Sequence, residues 1–458
     1  DLLEATVPGS FLHCKVAMEH WRACEAKQRP GPFDARALHL ESLAGAEVFG
    51  GPLWGQEKWL GGTLGEDGIV YGIPGHAQHV LRIDPETREM SLIGGPFEGK
   101  HKWLRGVLAE GVIYGIPANA DSVLKIVPET GEVTTIGGPF PDPWKWHGGI
   151  LANDGSIYCI PCNAESVLKI VPSTGEVTTI GGPLKGTQKW YGGLLGHDGC
   201  IYGIPNNADA VLKIDPSTQE VTTIGNLPLG GWKWHGGAVG GDGCIYGVPA
   251  HTDQVLKITP GTDRVELIGP KLESGKYRPE GQYKYGGATT GSDGNVYCFP
   301  SDADSVLKID VHTGEVKTIG PAFHQWWHNK WQNGFLADDG CIYAIPLNAE
   351  GVLKIVCATE EVMTVGGAIP GMNKWEGGVV ANDGSMYCMP MQSKAVLRIA
   401  PPKAGAVQLQ GGAIDEAPWR RCVAAHRLRY GPVRDDHDLA LVMERTCEAA
   451  LSGGEEFC

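Results

Sequence analysis

Lys145-Trp-His-Gly-Gly-Ile-Leu-Ala-Asn-Asp-Gly155-Ser-Ile-Tyr-Cys-Ile-Pro161-Cys-Asn-Ala-Glu165-Ser-Val-Leu-Lys-Ile170-Val-Pro-Ser-Thr-Gly175-Glu-Val-Thr-Thr-Ile180-Gly-Gly-Pro183 contains four strand signals separated by turn signals. Strand A runs from Lys145 toward Ala152 and stops at Asn153-Asp154-Gly155, where Asp-Gly suits a tight hairpin turn. Strand B, Ser156 to Ile160, ends at Pro161, which cannot donate to a ladder. A polar loop leads into strand C, Val167 to Ile170, and Pro-Ser-Thr-Gly turns the chain into strand D, Glu176 to Ile180, rich in β-branched residues.

The same pattern occurs eight times, opened by Lys58, Lys102, Lys145, Lys189, Lys233, Lys284, Lys330 and Lys374 at spacings of 44, 43, 44, 44, 51, 46 and 44 residues. Four short strands in about 44 residues is the length of a propeller blade. A single small sheet cannot cover both its faces, so the copies must stack around an axis. The expectation is an all-β, eight-bladed β-propeller of four-stranded antiparallel blades over residues 46–413, with α-helical extensions at 1–45 and 414–458. Ala46-Glu47-Val48-Phe49 reads as a stray strand D that can close the ring beside the last blade; Ala406 to Gln410 competes for the same place.

No run approaches the roughly 20 apolar residues of a membrane helix. A net charge of −15 argues against a general nucleic-acid grip. The sequence opens at Asp1, as a processed product or fragment would, so a targeting peptide is not visible. Of 13 cysteines, Cys159, Cys200, Cys244, Cys298, Cys341 and Cys388 lie in or beside strand B, where a small apolar side chain packs between blades. Buried thiols and an odd total favour a reducing intracellular compartment.

Propeller geometry puts the D-to-A and B-to-C loops at one end of the ring and the Asp-Gly and Thr-Gly turns at the other. The first end carries Lys102, Lys145, Lys189, Lys233, Lys284 and Lys330 and, on the B-to-C loops, Asp121, Glu165, Asp209, Asp253, Asp304 and Glu350. A residue demanded by every copy serves the stack, so these are expected to form a structural Lys–acid ring. Repeats 1 and 8 depart, with Gln78 and Lys394 at the acid position. Blade-specific aromatic and imidazole side chains, Trp144, His147, Trp232, His235, Trp326 and Trp327, form the candidate binding rim. His324 and His328 have no matching carboxylate in the sequence pattern, and neither a metal nor another cofactor nor a catalytic residue is expected.

The Asp-Gly-x-Ile-Tyr and Val-Leu-Lys-Ile-Asp-Pro-x-Thr-Gly-Glu-Val patterns resemble blades of the propellers related to streptogramin (virginiamycin B) lyase and to the SMP-30/gluconolactonase group. The resemblance covers the repeat region and implies a propeller; those families act through a metal-assisted lyase or lactonase site at one end of the channel. No residue here matches their catalytic motif, and eight copies exceed the blade count usual in either group. No nucleophile elbow, phosphate loop, zincin motif or Rossmann fingerprint is present. The reading is a non-catalytic binding or scaffolding propeller that engages a protein partner or larger complex through its aromatic D-to-A face. The alternatives are a metal-dependent lyase or lactonase at the channel mouth and a glycan-binding propeller.

Overall fold

The computed structural model of the protein describes residues 45–277, 282–326 and 328–402. The helical extensions expected at either end lie outside them. Among the described residues the chain forms eight four-stranded antiparallel sheets arranged as the blades of a propeller, with no helix. Blade 3, for example, consists of Trp146–Leu151, Ile157–Pro161, Val167–Val171 and Glu176–Ile180 in that spatial order. The A strands of successive blades touch one another, which places them nearest the axis.

Blade 8 is completed from the other end of the sequence. Ala46–Phe49 pairs antiparallel with Val396–Ile399, Ala46 opposite Ile399 and Phe49 opposite Val396, so the N-terminal strand is the outermost of the last blade. The competing segment, Ala406 to Gln410, lies outside the described residues.

Each interface between blades is a core of its own. Tyr114, Ile116 and Val123 of blade 2 pack with Trp146, Ile157, Cys159, Leu168 and Ile170 of blade 3. The strand-B tyrosine stands at the blade end and donates to the turn aspartate four residues back, as Tyr158 does to Asp154 at 2.8 Å. Asp154 also accepts from the Ser156 N–H, which explains why aspartate recurs in these turns. All eight described cysteines are free, and of the four within a strand B, Cys159, Cys298 and Cys388 are fully buried and Cys341 is buried to 7% exposure.

Strand A carries a β-bulge in every blade. In blade 3, Trp146 lies opposite Pro161 but Gly149 opposite Cys159, so His147 and Gly148 face a single residue. The extra residue adopts a left-handed conformation, φ +79° at Gly148. In blade 2 that place is held by Arg105, φ +61°, where most other blades use glycine.

Candidate functional site at the D-to-A face

The eight strand-opening lysines are buried, each no more than 5% exposed. In Lys58, Lys102, Lys145, Lys189, Lys233, Lys284 and Lys374 the ammonium group donates to main-chain carbonyls. Lys189 Nζ donates to Cys162 O and Ala164 O of blade 3 and to Gly186 O of its own D-to-A loop, at 3.0, 2.9 and 3.1 Å. Lys102, Lys145 and Lys374 repeat this with a carbonyl of the preceding blade and one three residues upstream. Each of these seven lysines therefore staples two blades together. The expected ion pairs give way to this arrangement: Asp121, Glu165, Asp209 and Glu350 are exposed, and among the described residues no ion pair joins these acids to the lysine ring. Desolvating two charges costs more than desolvating one and satisfying it with carbonyls already on the loop, so the acids stay in water. Asp253 and Asp304 have other partners, the Lys271 ammonium at 3.9 Å and the His324 Nε2 atom at 3.2 Å. Burial pushes Lys58, Lys102, Lys145, Lys189, Lys330 and Lys374 down to about 8.

The residue just before each lysine is also constrained. Glu57, His101, Trp144, Gln188, Trp232, Tyr283, Asn329 and Asn373 all have φ between +45° and +56°. In five blades its N–H is latched by a side chain two residues past the strand-B proline of the preceding blade. Asn119 accepts from Trp144, Asn163 from Gln188, Asn207 from Trp232, Asp302 from Asn329 and Asn348 from Asn373, at 2.7 to 3.0 Å. Blade 1 has His76 at the latch position, blade 5 has His251 and blade 8 has Gln392.

At the junction of blades 1 and 2 the exchange brings three ionisable groups together. Glu57 Oε2 lies 3.1 Å from His76 Nε2 and 2.8 Å from His101 Nε2, and His76 Nε2 lies 3.1 Å from His101 Nδ1. The hydrogen bond from His101 holds the Glu57 carboxyl below its ordinary range. Burial, then the neighbouring His101, brings His76 down to about 4. Trp144 packs on the His101 ring, centroids 4.8 Å apart. Beside the trio opens a groove of about 630 Å³, whose lining includes Trp54, His76, Gln78, Leu92 and Lys100. Trp54 is 69% exposed, and Lys394 of blade 8 lies 4.1 Å from its ring centroid. The two repeats that abandon the rim acid, carrying Gln78 and Lys394, thus both border this seam.

Nearer the axis, one column of the repeat differs in almost every blade: Leu60, Leu104, His147, Tyr191, His235, Gly286, Gln332 and Glu376 follow the Lys-aromatic pair. The bulge aims these residues inward. His147, Tyr191 and His235 form a continuous stack, with centroids 3.7 and 4.0 Å apart. Arg105 of blade 2 opposes the rise of both the Tyr191 hydroxyl of blade 4 and the Glu376 carboxyl of blade 8, and Glu376 adds to that of Tyr191, so all three face one shared space across the axis. Burial raises Glu376 above the usual carboxyl range and brings His235 down to about 4. The His147 Nδ1 atom is buried without a hydrogen-bond partner.

The structure separates the predicted rim residues into groups. His147 and His235 join the axial stack, and Trp144 supports His101. Trp232 packs near Tyr283, and Trp326 folds onto Phe323 and Trp331, so neither presents a free face of the kind Trp54 does. Trp327 lies outside the described residues. Glu57, His76, Tyr191, Glu376 and Arg105 were not expected as site residues. Comparing the repeats column by column would have marked His76, where asparagine or aspartate is the usual latch, and Arg105, where glycine is usual, whereas Glu57, Tyr191 and Glu376 sit in columns that vary from blade to blade.

Residues 148–325 match a family described as a repeat of unknown function, DUF6923. No curated protein matches the chain. Among solved structures, a streptogramin B lyase is similar at 16% identity and a TM-score of 0.52, over 78% of this chain and 97% of that one. A catalytically inactive virginiamycin B lyase from Staphylococcus aureus with quinupristin is similar at 16% identity and TM-score 0.50, over 66% and 95%. A computationally designed protein, Ika8, reaches TM-score 0.54 at 8% identity, over 76% and 100%. The likeness to streptogramin lyase propellers read from the repeats holds at the level of the fold.

Proposed function

We propose that this protein is a binding module that seats a protein partner on its D-to-A face, at the seam of blades 8, 1 and 2. The observation that supports this reading is the coincidence, in one sector, of departures from the repeat with exposed apolar surface. Gln78 and Lys394 replace the rim acids, Trp54 is 69% and Leu92 51% exposed, and the groove lies between them. A large aromatic on a rigid scaffold is the usual anchor of a protein interface, since little entropy is lost when it is covered. Variable loops over a fixed framework are where specificity resides.

The test compares two faces of the same molecule. The full chain is immobilised as wild type, as the double variant Trp54→Ala/Leu92→Asp, and as Glu129→Lys on the opposite, Thr-Gly end, and partners are recovered from its native source. The double variant is expected to lose at least nine tenths of the recovered partner, with an unchanged melting temperature, while Glu129→Lys retains it. Equal recovery by all three would refute the proposal.

A further inference from the structure

We infer that Glu57, His76 and His101 form a three-ligand site for a borderline divalent cation of the zinc class, with remaining coordination positions for oxygen donors. The three side chains come from two blades: Glu57 and His101 from successive D-to-A loops, His76 from the B-to-C loop between them. Zinc bonds of about 2.0–2.1 Å put neighbouring donors roughly 3.0–3.4 Å apart. Glu57 Oε2 stands 3.1 Å from His76 Nε2 and 2.8 Å from His101 Nε2, so these two pairs need shifts of only a few tenths of an ångström; His76 approaches His101 through the other ring nitrogen, Nδ1, but with one donor atom from each residue the three lie within 4.8 Å of one another, so a turn of the His101 ring completes the set.

The site is built into the fold. Glu57 and His101 each occupy the left-handed position directly before a buried, stapled lysine, with φ +47° and +48°. Trp144 fixes the His101 ring. Five other junctions place asparagine or aspartate at the position of His76 and use it as a latch. At this junction the latch side chain is exchanged for an imidazole directed at a carboxylate and a second imidazole. Two imidazoles and one carboxylate form a donor set that suits zinc and its neighbours, with positions left open. Lys100 and Lys102 oppose positive charge at His76 and so weaken the hold on a cation.

The repeat supplies its own control substitutions. His76→Asn restores the latch residue of blades 2, 3, 4 and 7, Glu57→Gln copies Gln188, and His101→Trp copies Trp144. The full chain, stripped with EDTA, is titrated with Co²⁺ and followed by visible absorption and by calorimetry. One Co²⁺ per chain is expected, with ligand-field bands and no sulfur-to-cobalt charge transfer; that distinction matters because the sequence has 13 cysteines. Each substitution should weaken binding at least tenfold while circular dichroism and the melting temperature stay unchanged. Binding that persists in all three variants, carries a thiolate charge-transfer band, or is absent up to millimolar Co²⁺ overturns the inference. Should one variant fail to fold, the other two decide. Trp54→Ala/Leu92→Asp should retain Co²⁺ binding, so failure of the partner proposal and failure of the metal site are told apart.

Discussion

Replacing Lys189 by methionine tests what holds the blades together. Methionine keeps most of the stem and removes the ammonium. Cys162 O would still accept from the Lys189 main-chain N–H position at 3.0 Å, but Ala164 O and Gly186 O have no other donor among the described residues. A buried carbonyl left without a partner costs about 1–3 kcal/mol; Ala164 is half-buried and Gly186 exposed, so water replaces the ammonium at Gly186 and the expected loss is that of one carbonyl, about 1–3 kcal/mol. Unfolding entropy of about 2.1 cal/mol/K per residue converts this to a fall in Tm on the order of 3 °C for a ring of this size. Glu165→Gln is the matched control. Its carboxylate is exposed and makes no ion pair with Lys189, so a change within about 0.5 kcal/mol is expected. Urea midpoints measured at constant m-value read both. If Glu165→Gln costs as much as Lys189→Met, the carboxylate is the partner and the carbonyl staple is wrong.

Because burial lowers the lysines to about 8 in the fold, against roughly 10.4 when unfolded, the unfolded chain binds more protons between these values and stability should rise with pH from about 8 to 10. Above pH 10 the strand-B tyrosines, raised by burial, reverse the trend; a flat urea midpoint between pH 7.5 and 9.5 would show that the carbonyls keep the ammonium at its ordinary value. Tyr158→Phe should cost about 1 kcal/mol, since its hydroxyl donates to Asp154 and accepts from Gln219. Tyr114→Phe should cost close to nothing, because the blade 2 turn, Glu110-Gly111, is one residue shorter and lacks that aspartate; equal losses in differential scanning calorimetry would remove the turn's role. Gly237→Ala would place a Cβ 2.6 Å from the Tyr246 carbonyl and should cost about 2 kcal/mol or more, whereas Gly155→Ala, with φ +79° and open space, should cost about 1 kcal/mol; the reverse order in urea would contradict the packing at the bulge.

The ring was legible because repetition multiplies weak signals: a single Asp-Gly turn or Val-Leu-Lys-Ile run says little, but eight in register leave one architecture. The lysine staple was half legible. Its structural role follows from repetition, but the partner was misread, because matching signs in sequence does not reveal that Nζ lies beneath main-chain carbonyls while Glu165 stays in water. Glu57, His76 and His101 share no motif, since the separations of 19 and 25 residues acquire meaning only when two loops of one blade and the start of the next converge. Tyr191 and Glu376 were hidden by being unlike their counterparts, a difference that resembles drift until the bulge turns that column toward the axis.

The pairing of Ala46 with Ile399 also sets a clock. The two residues are 353 positions apart, the difference of their numbers. A ribosome adding about 5–20 residues per second needs roughly 20–70 seconds to travel that distance. For that interval the nascent chain carries a finished but unpaired edge strand, Ala46–Phe49, while blades 1 to 7 form behind it. Any chaperone that attends this protein during synthesis therefore has a defined target and a defined moment of release, when Val396–Ile399 emerges and the earliest of the described strands becomes the last one placed.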